Sequence, residues 1–586
     1  MQVSASRYAL RRIGIIAALA LLGSLVFNGS ALAAGGSRST GHDPFQPSAS
    51  DGGAGAEAGA TQDPALFEAE AAANPVHGSA ALFSQCRYDP MASASYPSFA
   101  SNEHDVVIGD TQFTFADGVT HCYNPQNESN IVVNPTDHDN IVTSANDYRG
   151  NGICVAYVSK NGGTTWHDYV MSGWTSFTTG NGQFIHTGCG GDPVMAFGPD
   201  GTLYYAGVTF NVDKFPREMS GVAVSKSTDG GQTWTKPVMV SYNSAGNFFY
   251  DKPWISVSND GTVDLTWTTF YQGPLGVSYI KSPIVLSQSH NGGKQWTPAQ
   301  VVSDASHPYD QNSGSAMAPD GTLYVTYEAA DPDTGYTTDV AMVAISTDSG
   351  KTFTNHKGPR IYDDLDCYPI QLPGGQDRQT LSGEQFRLFP GPLFTIDPTT
   401  GELVMTWTDD QGAGTCGGGG TSFTGTTSNQ VKVATSWNGT TWTTQAITST
   451  APDKTFASVG ANDGVIAIGY YTRDYAIGDT GNTLCEAKVI DSSTSDITAL
   501  STENVCLDWA VKTSSDGGAT WSDQIRVTSH SSNPYTLFAG SFIGDYTGTA
   551  VDDQGKVWMS WTDFRGNPDA GTAPNQDMLV GTIPND

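Results

Sequence analysis

A tight polar turn closing on an aromatic side chain occurs six times in this chain. The copies are SKNGGTTW (159–166), STDGGQTW (227–234), SHNGGKQW (289–296), STDSGKTF (346–353), the degenerate TSWNGTTW (435–442) and SSDGGATW (514–521). In each, a serine and an aspartate or asparagine can bond nearby backbone amides, while a glycine supplies positive φ. The copies recur every 57 to 89 residues. A chain built this way is an array of like units and not one compact core.

Between the turns lies a second recurring unit. It reads VMAFGPDGTLYYAGV (194–208), ISVSNDGTVDLTWTTF (255–270), SAMAPDGTLYVTYEA (315–329), LFTIDPTTGELVMTWTDD (393–410), ASVGANDGVIAIGYYTRD (457–474) and TGTAVDDQGKVWMSWTDF (547–564), with a looser first copy at 131–147. Apolar and β-branched residues alternate around a short Asp-Gly-type bend, the pattern of strand–turn–strand. Each hairpin is followed by a third strand such as GVAVSKS (221–227), the octapeptide, and a fourth strand such as TWTKPVMVS (233–241). Helical periodicity is nearly absent beyond residue 100. Repeated four-stranded antiparallel meanders must stack radially to bury both faces, which makes the fold an all-β propeller, with the octapeptide aromatics filling the gaps between blades. Seven hairpins predict seven blades, with six as the alternative if one hairpin is an insertion. The last unit has only DMLVGTI (577–583) as a third strand, and DVVIGDTQFTF (105–115) is expected to supply its fourth and close the ring.

Chain tracing then sorts the loops. With strands lettered A to D, the A–B bends and the octapeptide C–D turns share one rim. The B–C and D–A connections share the other, among them 409–430, 473–506 and 356–391. Long irregular loops on a rigid scaffold are where binding and catalysis reside. The eight cysteines map mostly to that rim and show no CxxC spacing. Cys367 with Cys416, Cys485 with Cys506, Cys154 with Cys189 and Cys86 with Cys122 are the expected disulfides, as an even count in an exported chain implies.

Residues 1–33 read as an export signal: Arg7, Arg11 and Arg12, an apolar run from Ile13 to Phe27, and a small-residue cleavage site at Ala31–Ala33. Residues 34–100 are a low-complexity linker or N-terminal arm with a short helix near Pro64–Ala73, and 101–586 form the propeller. The leader holds three of the 27 basic residues and none of the 59 acidic ones, so the remainder carries a formal charge of −35. Such a chain repels phosphate backbones and anionic lipid, which excludes nucleic acid as a partner class. No later stretch is long and apolar enough to span a membrane. The expected location is extracellular.

On the long-loop rim, Arg149, Arg473 and Arg565 end the B strands of blades one, six and seven, and Arg387 and Arg378 lie on the loop before blade five. Gathered guanidinium groups can grip a carboxylate in bidentate fashion, or each can pin its own loop through the adjacent acid (Asp147, Asp474, Asp563). Asp192, Asp251 and Tyr546 stand where the chain enters innermost strands, Glu384 lies in the 356–391 loop, and Glu328 follows a B strand. Phe249, Tyr250, Trp254 and Tyr309 are of a kind to stack on sugars or to pack between blades. No cofactor is required. DPDTG (331–335) and DDLD (363–366) are acidic loops of the kind that hold calcium, or are simply solvated.

The octapeptides resemble the Asp-box, or BNR, repeat S-x-D-x-G-x-T-W of sialidases and related β-propellers, over residues 159–521. The resemblance implies a retaining exo-sialidase-like glycosidase. Its substrate would be terminal sialic acid or a related acidic sugar on a glycan or sialoglycoconjugate. Three arginines would bind the sugar carboxylate, drawn from Arg149, Arg387, Arg473 and Arg565. Tyr546, activated by Glu384, would be the nucleophile and Asp192 the acid/base, a tyrosine exception to the two-carboxylate rule. The sequence departs from that family in lacking an early F/Y-R-I-P motif; the nearest string is FRLFP (386–390). A non-catalytic propeller that binds glycan or protein, and an enzyme acting on neutral polysaccharide through facing carboxylates, are the alternatives.

Overall fold

The structure is a computed structural model. It describes residues 99–584 apart from Arg387 and a set of connecting segments, the longest being 148–153, 212–218, 273–278, 363–369, 411–426, 476–484, 535–542 and 566–575. The leader, the arm with its expected helix, Cys86, Cys122, Cys367 and Cys416 fall outside the described residues.

Seven four-stranded antiparallel blades form a ring, as the hairpin count predicts. The innermost strands are Gln126–Asn134, Gly188–Phe197, Phe248–Val257, Asp310–Met317, Leu393–Ile396, Lys454–Asn462 and Gly548–Val551. Each packs against the innermost strand of the next blade, and the seventh packs against the first. Strands B, C and D follow outward in chain order in blades one to six. Blade six carries an inserted hairpin, Glu486–Asp491 with Asp496–Asn504, between its B strand (Val465–Thr472) and its C strand (Asp508–Ser514).

Blade seven closes the ring with chain from the N-terminal end, at a different place from the one expected. Strand Glu103–Asp105 pairs with Asp577–Thr582, His104 opposite Val580. The expected segment 105–115 contributes only its first residue. Val106 and Val107 are core residues between blades seven and one, and Phe113–Thr114 pairs instead with Thr120–His121. The register is set by a buried charge: Glu103 meets Arg565 (Oε1 to Nη2, 2.6 Å), with neither side chain exposed. A slip of one residue would turn the Glu103 side chain to the opposite face and away from its partner.

Five of the six octapeptide turns share one internal geometry; in the degenerate copy Ser436 accepts from the Gly439 N–H three residues on in place of four. In STDGGQTW, Ser227 Oγ donates to Asp229 Oδ1 and accepts from the Gly231 N–H, while Asp229 accepts from the Thr233 N–H and hydroxyl. The Trp234 Nε1–H donates to the Gly231 carbonyl. Gly231 has φ 98°, and a Cβ there would lie 2.9 Å from Val158 of blade one, so glycine is needed for both conformation and space. Each turn's aromatic residue enters the apolar layer between its own blade and the preceding one. Trp234 joins blades one and two, Trp296 two and three, and Phe353 three and four. Trp442 joins blades four and five, Trp521 five and six, and Trp166 seven and one. Between blades six and seven, where no octapeptide stands, Trp509 and Trp561 stack with ring centroids 5.8 Å apart.

Two of the expected disulfides are present, Cys154–Cys189 and Cys485–Cys506. Both lie at B–C or D–A connections, on the rim away from the octapeptides.

Candidate functional site

Strand A of every blade starts on the long-loop rim, and there the structure departs from regular β geometry. In blades one, two, three, four and six the A–B ladder slips just inside the rim, between Asn127 and Asn130, Gly191 and Val194, Asp251 and Trp254, Gln311 and Gly314, and Thr455 and Ser458. The first residue of each bulge has positive φ: Glu128 59°, Asp192 51°, Lys252 46°, Asn312 56° and Phe456 51°. In blade seven Gly544, φ 95°, precedes Asp545 and Tyr546. In blade five Gly391 stands close to Glu328 and Asn312, where a Cβ would fall 2.7 Å from Glu328 Oε2. Non-glycine residues with positive φ cost about 1–3 kcal/mol each and cluster where strain serves a purpose. Here they stand at equivalent places just inside the long-loop rim, where Phe456 joins the core between blades six and seven and the polar ones meet one another.

Three of those residues, Glu128, Asp192 and Lys252, are joined with Asn146 and Asp545 in a closed circuit of five. The Asp545 N–H donates to Glu128 Oε1 (3.2 Å), and Asn146 Nδ2 donates to Glu128 Oε2 (2.7 Å). The Asp192 N–H donates to Asn146 Oδ1 (2.9 Å), and the Lys252 N–H to Asp192 Oδ2 (2.8 Å). The Lys252 ammonium then reaches across the mouth from blade three to Asp545 Oδ2 of blade seven, 2.7 Å away, with both side chains buried. Nζ also lies 5.1 Å over the Phe389 ring and 5.6 Å over the Tyr546 ring. Burial opposes the charge on Lys252, but Asp545, then Glu128, Asp251 and Asp192, outweigh it and hold the ammonium well above its ordinary range.

Two polar atoms inside this frame are unspent. Asp192 Oδ1 and the Tyr546 hydroxyl are buried and have no hydrogen-bond partner among the described residues. The Tyr546 ring is partly exposed, while its hydroxyl points inward. Burial, then the charges of Glu128 and Asp192, push the phenol well above its usual value, so it is fully protonated. Tyr205 beside it is pushed up likewise, by burial and then by Asp147 and Asp192.

Tyr546 and Asp192 of the predicted set therefore share this mouth. Glu384, Arg149 and Arg387 lie outside the described residues, although Phe386 and Leu388, the chain neighbours of Arg387, are anchored in the core between blades six and seven. The two described arginines are held in separate buried pairs. Arg473 bonds Asp453 (Nη1 to Oδ2, 3.1 Å). Arg565 forms a bidentate pair with Asp563 at 2.8 and 2.9 Å and also bonds Glu103. The neighbouring acid pins Arg565, as one reading has it, whereas Asp474 beside Arg473 pairs with Lys454. Asp251 accepts from Gln311 Nε2, and Glu328 is buried within its B strand. Tyr250 is packing between blades, edge-on to Trp267; Trp254 and Tyr309 are half-buried. In DPDTG, Asp331 and Asp333 are both engaged by Lys357.

Glu128, Asn146, Lys252 and Asp545 escaped sequence reasoning. A signal for the ring existed: Asp192, Lys252 and Asn312 each stand eight residues ahead of the aspartate of the following bend, Asp200, Asp260 and Asp320. Equivalent offsets in a repeat mean equivalent places around the axis.

No protein-family model matches the sequence, and no curated protein matches it. Among solved structures, the chain is similar to a protein of unknown function from Dyadobacter fermentans (14% identity, 67% of this chain and 93% of that one, TM-score 0.36). It is also similar to a GH93 α-L-arabinofuranosidase of Fusarium graminearum (15% identity, 62% and 92%, TM-score 0.35). A third is the Trypanosoma rangeli sialidase (12% identity, 70% and 56%, TM-score 0.37), of whose length this chain spans little more than half.

Proposed function

We propose that the chain is an exported glycoside hydrolase whose working site is the axial mouth of the long-loop rim. Residues 1–33 would be its signal, 34–100 an arm and 101–586 the Asp-box propeller. The observation that carries this reading is the closed circuit holding two unspent groups, a carboxylate oxygen of Asp192 and the phenol of Tyr546. A fixed carboxyl group able to protonate a leaving oxygen, beside a hydroxyl able to attack an anomeric carbon, is the minimum equipment for retaining glycosyl transfer to water. The phenol remains protonated unless a base takes its proton, the part assigned to Glu384; Glu128 is the described carboxylate whose charge bears most on that phenol.

The acidic-sugar form of this reading needs cations free to bind a carboxylate. Arg149 and Arg387 are the candidates, since using Arg473 or Arg565 would mean opening a buried pair. A second reading, a non-catalytic glycan-binding propeller, is favoured by one observation: the Tyr546 hydroxyl makes no hydrogen bond to a described carboxylate.

Residues 34–586, purified with disulfides intact, are to be assayed on a fluorogenic α-sialoside and on neutral aryl glycosides. We expect release from at least one, reduced about a hundredfold or more in Tyr546→Phe and in Asp192→Asn, with melting temperatures preserved. Full activity in Tyr546→Phe would remove that residue from the reaction, and inertness toward every glycoside would leave the binding reading.

A further inference from the structure

We infer that the mouth reads a neutral, hydroxyl-rich sugar, and that Lys252 and Asp192 are the pair that reads it. This rests on the mouth being a glycan site but not on the glycan being cleaved. The donor is the Lys252 ammonium, which among the described residues spends one of its three N–H groups, on Asp545. The acceptor is Asp192 Oδ1, buried and unspent. The two residues are tied at 2.8 Å through the Lys252 N–H and Asp192 Oδ2, so the spacing between donor and acceptor is fixed before any ligand arrives. A sugar hydroxyl is at once acceptor and donor. Of two neighbouring hydroxyls on one ring, one can accept from Nζ and the other donate to Oδ1, while the Phe389 ring offers an apolar face to the sugar C–H groups.

An anionic sugar fits this place badly. The charge of Lys252 is already compensated by Asp545, and Glu128, Asp192 and Asp251 lie near enough to act on it. An incoming carboxylate would meet three further carboxylates and no second cation among the groups that act on Lys252, in a buried setting where like charges repel strongly. Of the other described cations of this rim, Arg473, Arg565 and Lys454 are committed to Asp453, to Asp563 with Glu103, and to Asp474. Five positive-φ bulges hold the ring in shape, the kind of pre-organisation that reduces the ordering cost of binding.

The test is calorimetric titration of residues 34–586 with neutral gluco-, galacto-, manno- and arabino-oligosaccharides, and with sialylated or uronic-acid-bearing counterparts, at low and high salt. At least one neutral series is expected to bind, about tenfold or more tighter than its charged counterpart and with little salt dependence. Lys252→Met alone would remove the cation that offsets the buried Asp545 charge, so the double variant Lys252→Met/Asp545→Asn, which removes both charges, is the informative one. It and Asp192→Asn are each expected to weaken neutral binding about tenfold or more, with the melting temperature within a few degrees. Charged glycans binding as tightly as neutral ones, no neutral glycan binding, or folded variants that bind as the parent does would each overturn the inference. Binding without hydrolysis, lost in the variants, would uphold it and reject only the hydrolase reading.

Discussion

Asp264 shows what burial does to one carboxyl group in this fold. It sits in the B strand of blade three with no exposure, accepts from Gln288 Nε2 at 2.8 Å and lies 3.4 Å from Ser258 Oγ, and no cation among the described residues acts on it. Burial pushes it from 3.8 up to about 6. Between those values the native state holds the proton that the unfolded chain releases, so stability falls as pH rises through that window. Asp264→Asn keeps both partners and removes the ionisation. The variant should lose the slope between about pH 4 and 6 and gain about 3 kcal/mol at pH 7.5 in urea melts; an unchanged slope would assign the pH dependence elsewhere. At the mouth the same low dielectric acts on charges that do have partners. Lys252 keeps its charge because Asp545 lies 2.7 Å away, a contact between residues 293 apart in the chain. No local pattern announces that pairing. Tyr546 and Asp192 could be located at this mouth because entry to an innermost strand is visible in sequence, whereas Lys252 and Asp545 read as ordinary polar residues until the ring brings blades three and seven face to face.

The octapeptide is the element that the sequence displays best, and its chemistry accounts for its spacing. Serine at the first position serves two partners, two residues and four residues on, and aspartate at the third reaches back to the threonine at the seventh. Ser227→Ala leaves the Gly231 N–H, which is buried against blade one, without an acceptor. It should cost about 1–2 kcal/mol in chemical denaturation; a cost near zero would mean that the turn is held by its aromatic residue alone. The Thr352 hydroxyl and amide, with Ser346, hold Asp348 at about 2, and Thr520 with Ser514 does the same for Asp516. Such depressed groups contribute stability that is full above the ordinary carboxylate value and is lost as pH falls toward 2. Asp348→Asn should therefore reduce the acid sensitivity of the fold between about pH 4 and 2, as read by circular dichroism. The geometry also explains why six octapeptides serve seven blades. The octapeptide is a C–D turn, and in blade seven strands C and D are the two ends of the described chain, so no turn exists there to carry one.

At the scale of the molecule, stability depends on how the ring is fastened. Glu103–Asp105 is only three residues long, yet it covers the edge of Asp577–Thr582 and pairs Glu103 with the buried Arg565. Glu103→Gln removes one charge of a buried triad and should destabilise by about 3–5 kcal/mol. Amide exchange should rise first in 577–582; uniform exchange across all blades would show that the ring opens as one unit. Tracing strands up and down was enough to put the octapeptides and the A–B bends on one rim and the elaborate connections on the other, because hairpin geometry is local and repeats. Alternation, turn chemistry and the count of hairpins carried the all-β class, the seven blades and the two described disulfides. The closing strand was misplaced by a few residues, since Val106 and Val107 look like strand from their composition but are drawn into the inter-blade core. The closed circuit at the mouth and the private pairing of Arg473 and Arg565 were decided only by closure of the ring. Electrostatic partners are chosen by distance in space, and in a propeller that distance is set by residues hundreds of positions apart.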